Sequence, residues 1–126
     1  GIYVVLVEVG MSRRILNFDT TPGYMGMEVP DHTCETLENY LLRGWSPGGF
    51  VEAMLAHDHD RAFACADTGN RQMIWAVWRW IRDDAPALSH GSYEHIRHWQ
   101  DDLGGCRTAF ADPILKSAVW KKLSTV

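Results

Sequence analysis

Helix-starting and helix-stopping residues recur from Asp31 to the end of the chain, and they constrain the fold more than any other feature. Asp31 and Thr33 are typical N-caps, and Gly44 is typical of the residue that follows a helix. Ser46-Pro47 places proline at the first position of the next helix, and Pro86 ends a later one. The pattern predicts several short helices joined by tight corners.

Apolar residues at spacings of three and four give each predicted helix an inward face. The first three predicted helices run from Asp31 or Thr33 to Gly44, from Ser46 to near His57, and from Asp60 to Ala66. The next two run from Thr68 or Asn70 to just before Pro86 and from Ser92 to Gly104-Gly105, and the last begins at Asp112-Pro113. The side chains predicted to lie inward include Leu37, Tyr40, Leu41, Phe63, Trp78, Trp80, Trp99 and Leu103. Together, these helices are predicted to form a compact bundle of five or six short helices.

The N-terminal region has a different pattern. Residues 2–9 are rich in β-branched side chains and apolar on both faces, and Arg13 to Phe18 alternates loosely. We therefore predict a mainly α (α+β) single domain over residues 1–126, with a β-hairpin at 1–20 and a helical bundle at 31–124. Because an isolated hairpin is only marginally stable, we expect it to pack on the helices or to pair between two chains as a homodimer.

Composition limits the classes of function. The chain has 126 residues, 46% of them hydrophobic, and a net charge of -4, which argues against nucleic acid as its main partner. No segment approaches the ~20 apolar residues of a membrane span, and the N-terminal strand lacks the flanks of a signal peptide. Cys34, Cys65 and Cys106 are odd in number and widely spaced, which favours reduced cysteines in a cytoplasmic protein.

The segment from Asn70 to Pro86 contains three of the six tryptophans. Met73, Ile74, Val77, Trp78 and Ile81 form its apolar stripe. Trp75 lies off that stripe, with Arg71 and Arg79 one turn to either side on a continuous helix. This placement indicates either a surface that contacts another molecule, to which Arg82 also belongs, or local cation–π packing.

Acidic residues are concentrated between Pro30 and Thr68, where there are seven acids against two arginines. Within this block, Glu35 and Glu38 share one predicted helix face, and the region from Asp31 to Glu52 is the possible contact. Two solvated helix faces explain this pattern, and the alternative is an acidic patch that docks on a basic surface. The residues predicted to bind a partner are Arg71, Trp75, Arg79, Arg82, Glu35 and Glu38.

The HDHD tetrad at His57 to Asp60 has the residue types of a metal site, with His57, His59 and Asp60 as candidate ligands and His95 or His98 as a further one. Histidines two apart face different directions on a helix, so a polar turn with Asp58 or Asp60 as a cap is the better interpretation.

The sequence supports no catalytic set. HExxH is absent. Gly44 to Gly48 match GxSxG, but no hydrophobic strand precedes them, so a tight corner between two helices is the better interpretation. We therefore predict a non-enzymatic protein without metal or cofactor. The alternative is a metal-binding domain or small metal-dependent enzyme that uses the tetrad. A weaker alternative is a nucleic-acid-binding regulator that stacks bases on Trp75.

A family resemblance covers a little over half of the chain, from Val29 to Trp99. This region contains the segments VPDHTCETLENYLLRGWSPGGFVEAMLAHD, AFACAD, DDAP and HGSYEHIRHW, and an asparagine at position 70. Together they resemble a family of small uncharacterised proteins encoded by tailed phages and prophages. These motifs are corners and caps, so the resemblance implies no catalytic residue. It implies an accessory protein that binds a host protein or protein complex in the cytoplasm of the infected bacterium, and the specific expectation is a host-defence inhibitor of the anti-CRISPR type.

Overall fold

The computed structural model describes residues 14–18 and 28–124, with side chains as far as Ser117. Within these residues it contains seven α-helices and no β-strand. The helices are α1 (Asp31–Arg43), α2 (Gly48–Leu55), α3 (His59–Cys65), α4 (Thr68–Gln72), α5 (Ile74–Asp84), α6 (Tyr93–Gln100) and α7 (Cys106–Ser124), with 3-10 turns at Ala87–Ser89 and Leu103–Gly105. None of the described helices is both long enough and apolar enough to cross a membrane.

One hydrophobic core joins α1, α2, α5 and α6. Large aromatic side chains enter it with their polar ends bonded to backbone carbonyls, as burial requires. The indole N–H of Trp99 donates to the Leu41 carbonyl at 3.2 Å, and the Tyr40 hydroxyl donates to the Ser89 carbonyl at 2.7 Å. The fully buried side chains include Leu37, Tyr40, Leu41, Met54, Leu55, Val77, Ile81 and Trp99.

Several predicted corners are confirmed. Gly44 follows α1 in the left-handed region, at φ 73°, where a residue without a Cβ is unstrained. Ser92 caps α6, since its hydroxyl accepts the His95 N–H at 3.1 Å. The cap predicted at Asp31 or Thr33 is wrong, because the N-cap of α1 is Pro30 and no side chain caps this helix.

Two helix boundaries differ from prediction. The helix expected from Thr68 or Asn70 to Pro86 begins at Thr68 but is divided at Met73 into α4 and α5. The last helix begins at Cys106 and contains Pro113, so a start at Asp112 is wrong. The residues before that proline pack on the bundle, since Ala111 is buried and the Phe110 ring lies 5.8 Å from that of Trp99. This burial outweighs the cost of an interior proline.

Two residues predicted to lie in the core are exposed. Phe63 is 55% exposed because Asp58 caps α3, so the helix begins at His59 and directs only Ala62 fully inward. Leu103 is 52% exposed because Asp102, at φ 54°, ends the helical path before it. Trp78 is half-buried at the core edge, whereas Trp80 is fully inside as predicted.

The predicted second strand of the hairpin is wrong for residues 14–18. Their backbone is bent, and the N–H groups of Ile15 and Leu16 donate to the Glu38 carboxylate, not to a neighbouring strand. The remainder of the predicted hairpin, and its predicted dimer edge, lies outside the described residues. Over residues 14–18 and 28–124, the structure supports a small all-helical domain.

Candidate functional site

Trp75 lies on the outer side of α5. This helix buries Ala76, Val77, Trp80 and Ile81 against the bundle, so its buried side is turned away from Trp75. The indole of Trp75 is 45% exposed. The Trp75 ring is therefore accessible to another molecule, as are the exposed rings of Trp45 and Phe63.

Arg79 and Arg82 lie one and two turns beyond Trp75 on the same side of α5. Asp83 lies between the two guanidinium groups. Arg79 Nε is 3.6 Å and Arg82 Nε is 3.0 Å from the Asp83 carboxylate. The hydrogen bond from Arg82 holds the pKa of Asp83 below its ordinary value. We call Trp75, Arg79 and Arg82 the Trp75 face; it combines an exposed ring with two cations that share one carboxylate.

Arg71 belongs to a different helix from Trp75. It is exposed on α4, on the far side of the break at Met73, so the continuous stripe that the sequence predicts is interrupted. Local cation–π packing at Trp75 is also not observed. Among the described side chains, arginines lie over the rings of Trp45 and Tyr93, at 5.9 and 5.5 Å.

The two glutamates predicted to share an acidic face are placed differently. Glu35 is exposed, but Glu38 is only 5% exposed and accepts the N–H of Ile15 at 2.7 Å and that of Leu16 at 3.2 Å. Burial raises the pKa of Glu38, while these N–H groups favour its ionised form. Glu38 therefore does not contribute to an exposed acidic patch in this structure. A sequence signal exists, since Glu38 is spaced four and three residues from the buried Cys34 and Leu41.

The HDHD tetrad comprises the turn between α2 and α3, at His57 and Asp58, and the first two residues of α3. His57 adopts a left-handed backbone, at φ 63°, which is uncommon for a residue with a side chain. Its Nε2 lies 2.9 Å from Nδ1 of His90, a hydrogen-bonded pair between two segments distant in sequence. The Trp78 ring is nearly perpendicular to the rings of His57 and His59, with centroids 4.8 Å apart in each pair. Burial is the main cause that lowers the pKa of His57 and of His90.

Asp58, the second residue of the tetrad, caps α3 and connects it to α6. Its carboxylate accepts the N–H of Arg61 at 3.3 Å and the hydroxyl of Tyr93 at 2.7 Å. Arg61 also donates to that hydroxyl at 3.0 Å and to Glu52 at 2.9 Å. The network connects α2, α3 and α6 and leaves Asp60 exposed in the first turn of α3. Asp58 is therefore the cap, and the proposed alternative, Asp60, is not.

A metal centre at the tetrad is not supported by the geometry. In the described part of the chain, no three His, Cys, Asp or Glu side chains lie together so that they could hold one ion. His57 meets His90, whereas His98 lies 3.6 Å from Glu94 on the exposed side of α6.

The sequence did not predict the buried polar site at Asn70. Asn70, expected only to begin a helix, is 5% exposed and accepts the Thr33 hydroxyl at 2.6 Å. Its amide nitrogen lies 3.1 Å from His32 Nε2. The cap of α4 is instead Asp67, which accepts the Asn70 N–H at 2.7 Å. Nothing in the local sequence distinguishes a capping asparagine from a buried one, because its partners lie on another helix.

Comparison with protein-family models, with curated proteins and with solved structures gave no match for this chain.

Proposed function

We propose that this chain is a non-enzymatic accessory protein that acts by binding another protein through the Trp75 face. The observation that carries the proposal is the half-exposed indole of Trp75 on a helix whose opposite side is fully packed. Truncation of a tryptophan at the centre of an interface typically removes about 2 kcal/mol or more of binding free energy.

The charges around Trp75 indicate the kind of surface that it fits. Arg79 and Arg82 are each a third to a half exposed and share Asp83, and Arg71 is exposed on the preceding helix. Arginine beside tryptophan is typical of interface centres, and the excess of cations favours an acidic partner surface.

The partner that we propose is a host protein or protein complex in the cytoplasm of an infected bacterium. This part of the proposal rests on the resemblance to proteins of tailed phages and prophages between Val29 and Trp99. A defence complex, inhibited in the manner of anti-CRISPR proteins, is the specific case proposed. Inhibition by occupancy needs a contact surface and no catalytic group.

The test compares two exposed tryptophans. The full chain, its Trp75→Ala variant and its Trp45→Ala variant are immobilised and exposed to lysate of the bacterium whose genome or phage carries the gene. Trp45 is the matched control, since it is 58% exposed and lies elsewhere, beneath Arg43. We expect a protein that the wild type and Trp45→Ala retain and that Trp75→Ala loses by about tenfold or more, as 1.4 kcal/mol corresponds to tenfold.

Thermal unfolding of the same three chains separates binding from stability. Because Trp75 is exposed, its truncation should change the free energy of unfolding by about 0.5 kcal/mol or less. Equal retention by wild type and Trp75→Ala would exclude the Trp75 face as the contact.

A further inference from the structure

Residues 14–18, Arg-Ile-Leu-Asn-Phe, lie against α1 and α5 with alternating burial. Arg14, Leu16 and Phe18 are half-buried, whereas Ile15 and Asn17 are exposed. Leu16 and Phe18 pack on the hydrophobic core, and Arg14 donates to Asp31 at 3.1 Å. The backbone bends at Ile15 and Leu16, so the alternation reflects one bound side of a short bent segment.

Glu38 of α1 and Trp80 of α5 make the other polar contacts of this segment. The Glu38 carboxylate accepts the N–H groups of Ile15 and Leu16, and the Trp80 indole N–H donates to the Asn17 carbonyl at 2.9 Å. These bonds involve backbone groups, which every peptide offers. We call Glu38 and Trp80, with the Asp31 carboxylate beside them, the Glu38–Trp80 surface.

The side chains that enter this surface supply selectivity. The Phe18 ring stacks on the Trp80 indole, with centroids 4.4 Å apart and an interplanar angle of 27°. Arg14 provides a cation for Asp31, and Leu16 provides an aliphatic contact with the core. Bonds to backbone groups, which give affinity, and contacts with particular side chains, which give specificity, are the two parts of a peptide-recognition site.

We propose that the Glu38–Trp80 surface is a peptide-binding site that residues 14–18 occupy in cis. Its ligand in trans is a short segment of a partner protein that adopts the same bent backbone, with a basic, an aliphatic and an aromatic residue at alternate positions. The segment in the structure demonstrates the ligand chemistry: two adjacent N–H donors for a carboxylate, one carbonyl for an indole, and an aromatic ring for the indole face. The site is separate from the Trp75 face, because Trp80 lies on the buried side of α5.

The cis segment competes with any ligand in trans, since its covalent connection gives it a high effective concentration. Weakening the cis segment without changing the surface should therefore increase the affinity for an added peptide. Phe18→Ala does this, because it removes the stacked ring from the segment and leaves Glu38 and Trp80 in place.

The experiment uses the full chain and a fluorescently labelled peptide, acetyl-Arg-Ile-Leu-Asn-Phe-amide, with binding followed by fluorescence anisotropy. Phe18→Ala should bind this peptide about tenfold more tightly than the wild type does. Phe63→Ala is the matched control, since Phe63 is exposed on α3, and it should bind like the wild type. A peptide with alanine in place of phenylalanine should not bind any of the three chains.

A second variant tests the carboxylate. Phe18→Ala combined with Glu38→Gln, which keeps the size of the side chain and removes its charge, should lose peptide affinity relative to Phe18→Ala alone. The proposal is overturned if Phe18→Ala binds no more tightly than wild type, or if the alanine peptide binds as well as the phenylalanine peptide. The comparison of Phe18→Ala with Phe63→Ala decides the question even where the doubly substituted chain fails to fold.

Discussion

At the scale of single residues, Asn70 joins two helices. Its side chain accepts the Thr33 hydroxyl of α1 at 2.6 Å and contacts His32, while it is itself part of α4. Removing one partner of a buried hydrogen bond leaves the other unsatisfied, at a cost of about 1–3 kcal/mol. We predict this loss in the free energy of unfolding for Asn70→Ala, measured by urea denaturation.

The control for Asn70→Ala is Asn39→Ala, another asparagine within a helix. Its side-chain oxygen accepts from Arg43 at 3.1 Å in an exposed pair. Such a pair contributes little, so the loss should be about 0.5 kcal/mol or less. Equal losses for the two variants would show that Asn70 has no special role in holding α4 to α1.

The His57–His90 pair makes a prediction about pH. Burial is the main cause that lowers the pKa of both histidines from the ordinary value of about 6.5. The neighbouring His95 also lowers both pKa values, and His59 lowers that of His57. The unfolded chain therefore binds more protons than the folded chain as the pH falls through that value. Stability from this pair is fully present above about pH 6.5 and decreases as the pH falls toward the folded pKa values.

Denaturation midpoints measured between pH 7.5 and pH 5 test this sign. His57→Asn should flatten the dependence on pH, and asparagine tolerates the left-handed backbone at this position. His98→Asn, which removes an exposed imidazole that does not contact the pair, should keep the wild-type slope. A His57→Asn chain with the same slope as the wild type would contradict the assignment.

Some residues could be placed from the sequence and some could not. Leu37, Leu41, Val77 and Ile81 are buried as their helical spacing predicts. Glu38 is buried although it is charged, because backbone N–H groups from a segment more than twenty residues away satisfy its carboxylate. Local pattern does not contain that partner, and the same is true of His57 and His90.

At the scale of helices, Gly44 and Gly48 offer a matched pair. Both have left-handed backbones, at φ 73° and 75°, so alanine is strained at either position by about 1 kcal/mol. A Cβ at Gly44 would also lie 2.8 Å from Nε of Arg107, whereas one at Gly48 would meet nothing within 4 Å. We predict a larger loss of stability for Gly44→Ala, measured by thermal unfolding.

The physical reason for this difference is the contact between α1 and α7. Arg107 Nε donates to the Trp99 carbonyl at 3.1 Å, and a Cβ at position 44 would displace this guanidinium. Equal effects of the two substitutions would mean that Arg107 moves without cost and does not hold the corner.

Helix ends follow local chemistry where a single cap or stop decides them, as Gly44 and Ser92 show. Helix ends differ from the local prediction where the packing of neighbouring side chains opposes the cap or stop signal. Asp112-Pro113 has the pattern of a helix start, yet the helix continues through it because Phe110 and Ala111 pack on the bundle. The break at Met73 has no proline or glycine signal, so the division of α4 from α5 could not be predicted from the sequence.

At the scale of the whole molecule, α5 presents different tryptophans on its two sides. Trp80 faces inward and contacts residues 14–18, whereas Trp75 faces outward between the bundle and solvent.

The helical class of the domain followed from the sequence, because caps and apolar spacing are local properties. The function does not follow from the fold, since helical bundles carry many unrelated functions.

Site-specific photo-crosslinking can test the claim that the Trp75 face binds a partner protein. A photoreactive phenylalanine analogue replaces Trp75 in one full chain and Trp45 in another, and both are irradiated in living bacterial host cells. We predict a covalent adduct to one host protein from position 75 and none to that protein from position 45. No adduct from position 75, or the same adduct from both positions, would contradict the claim.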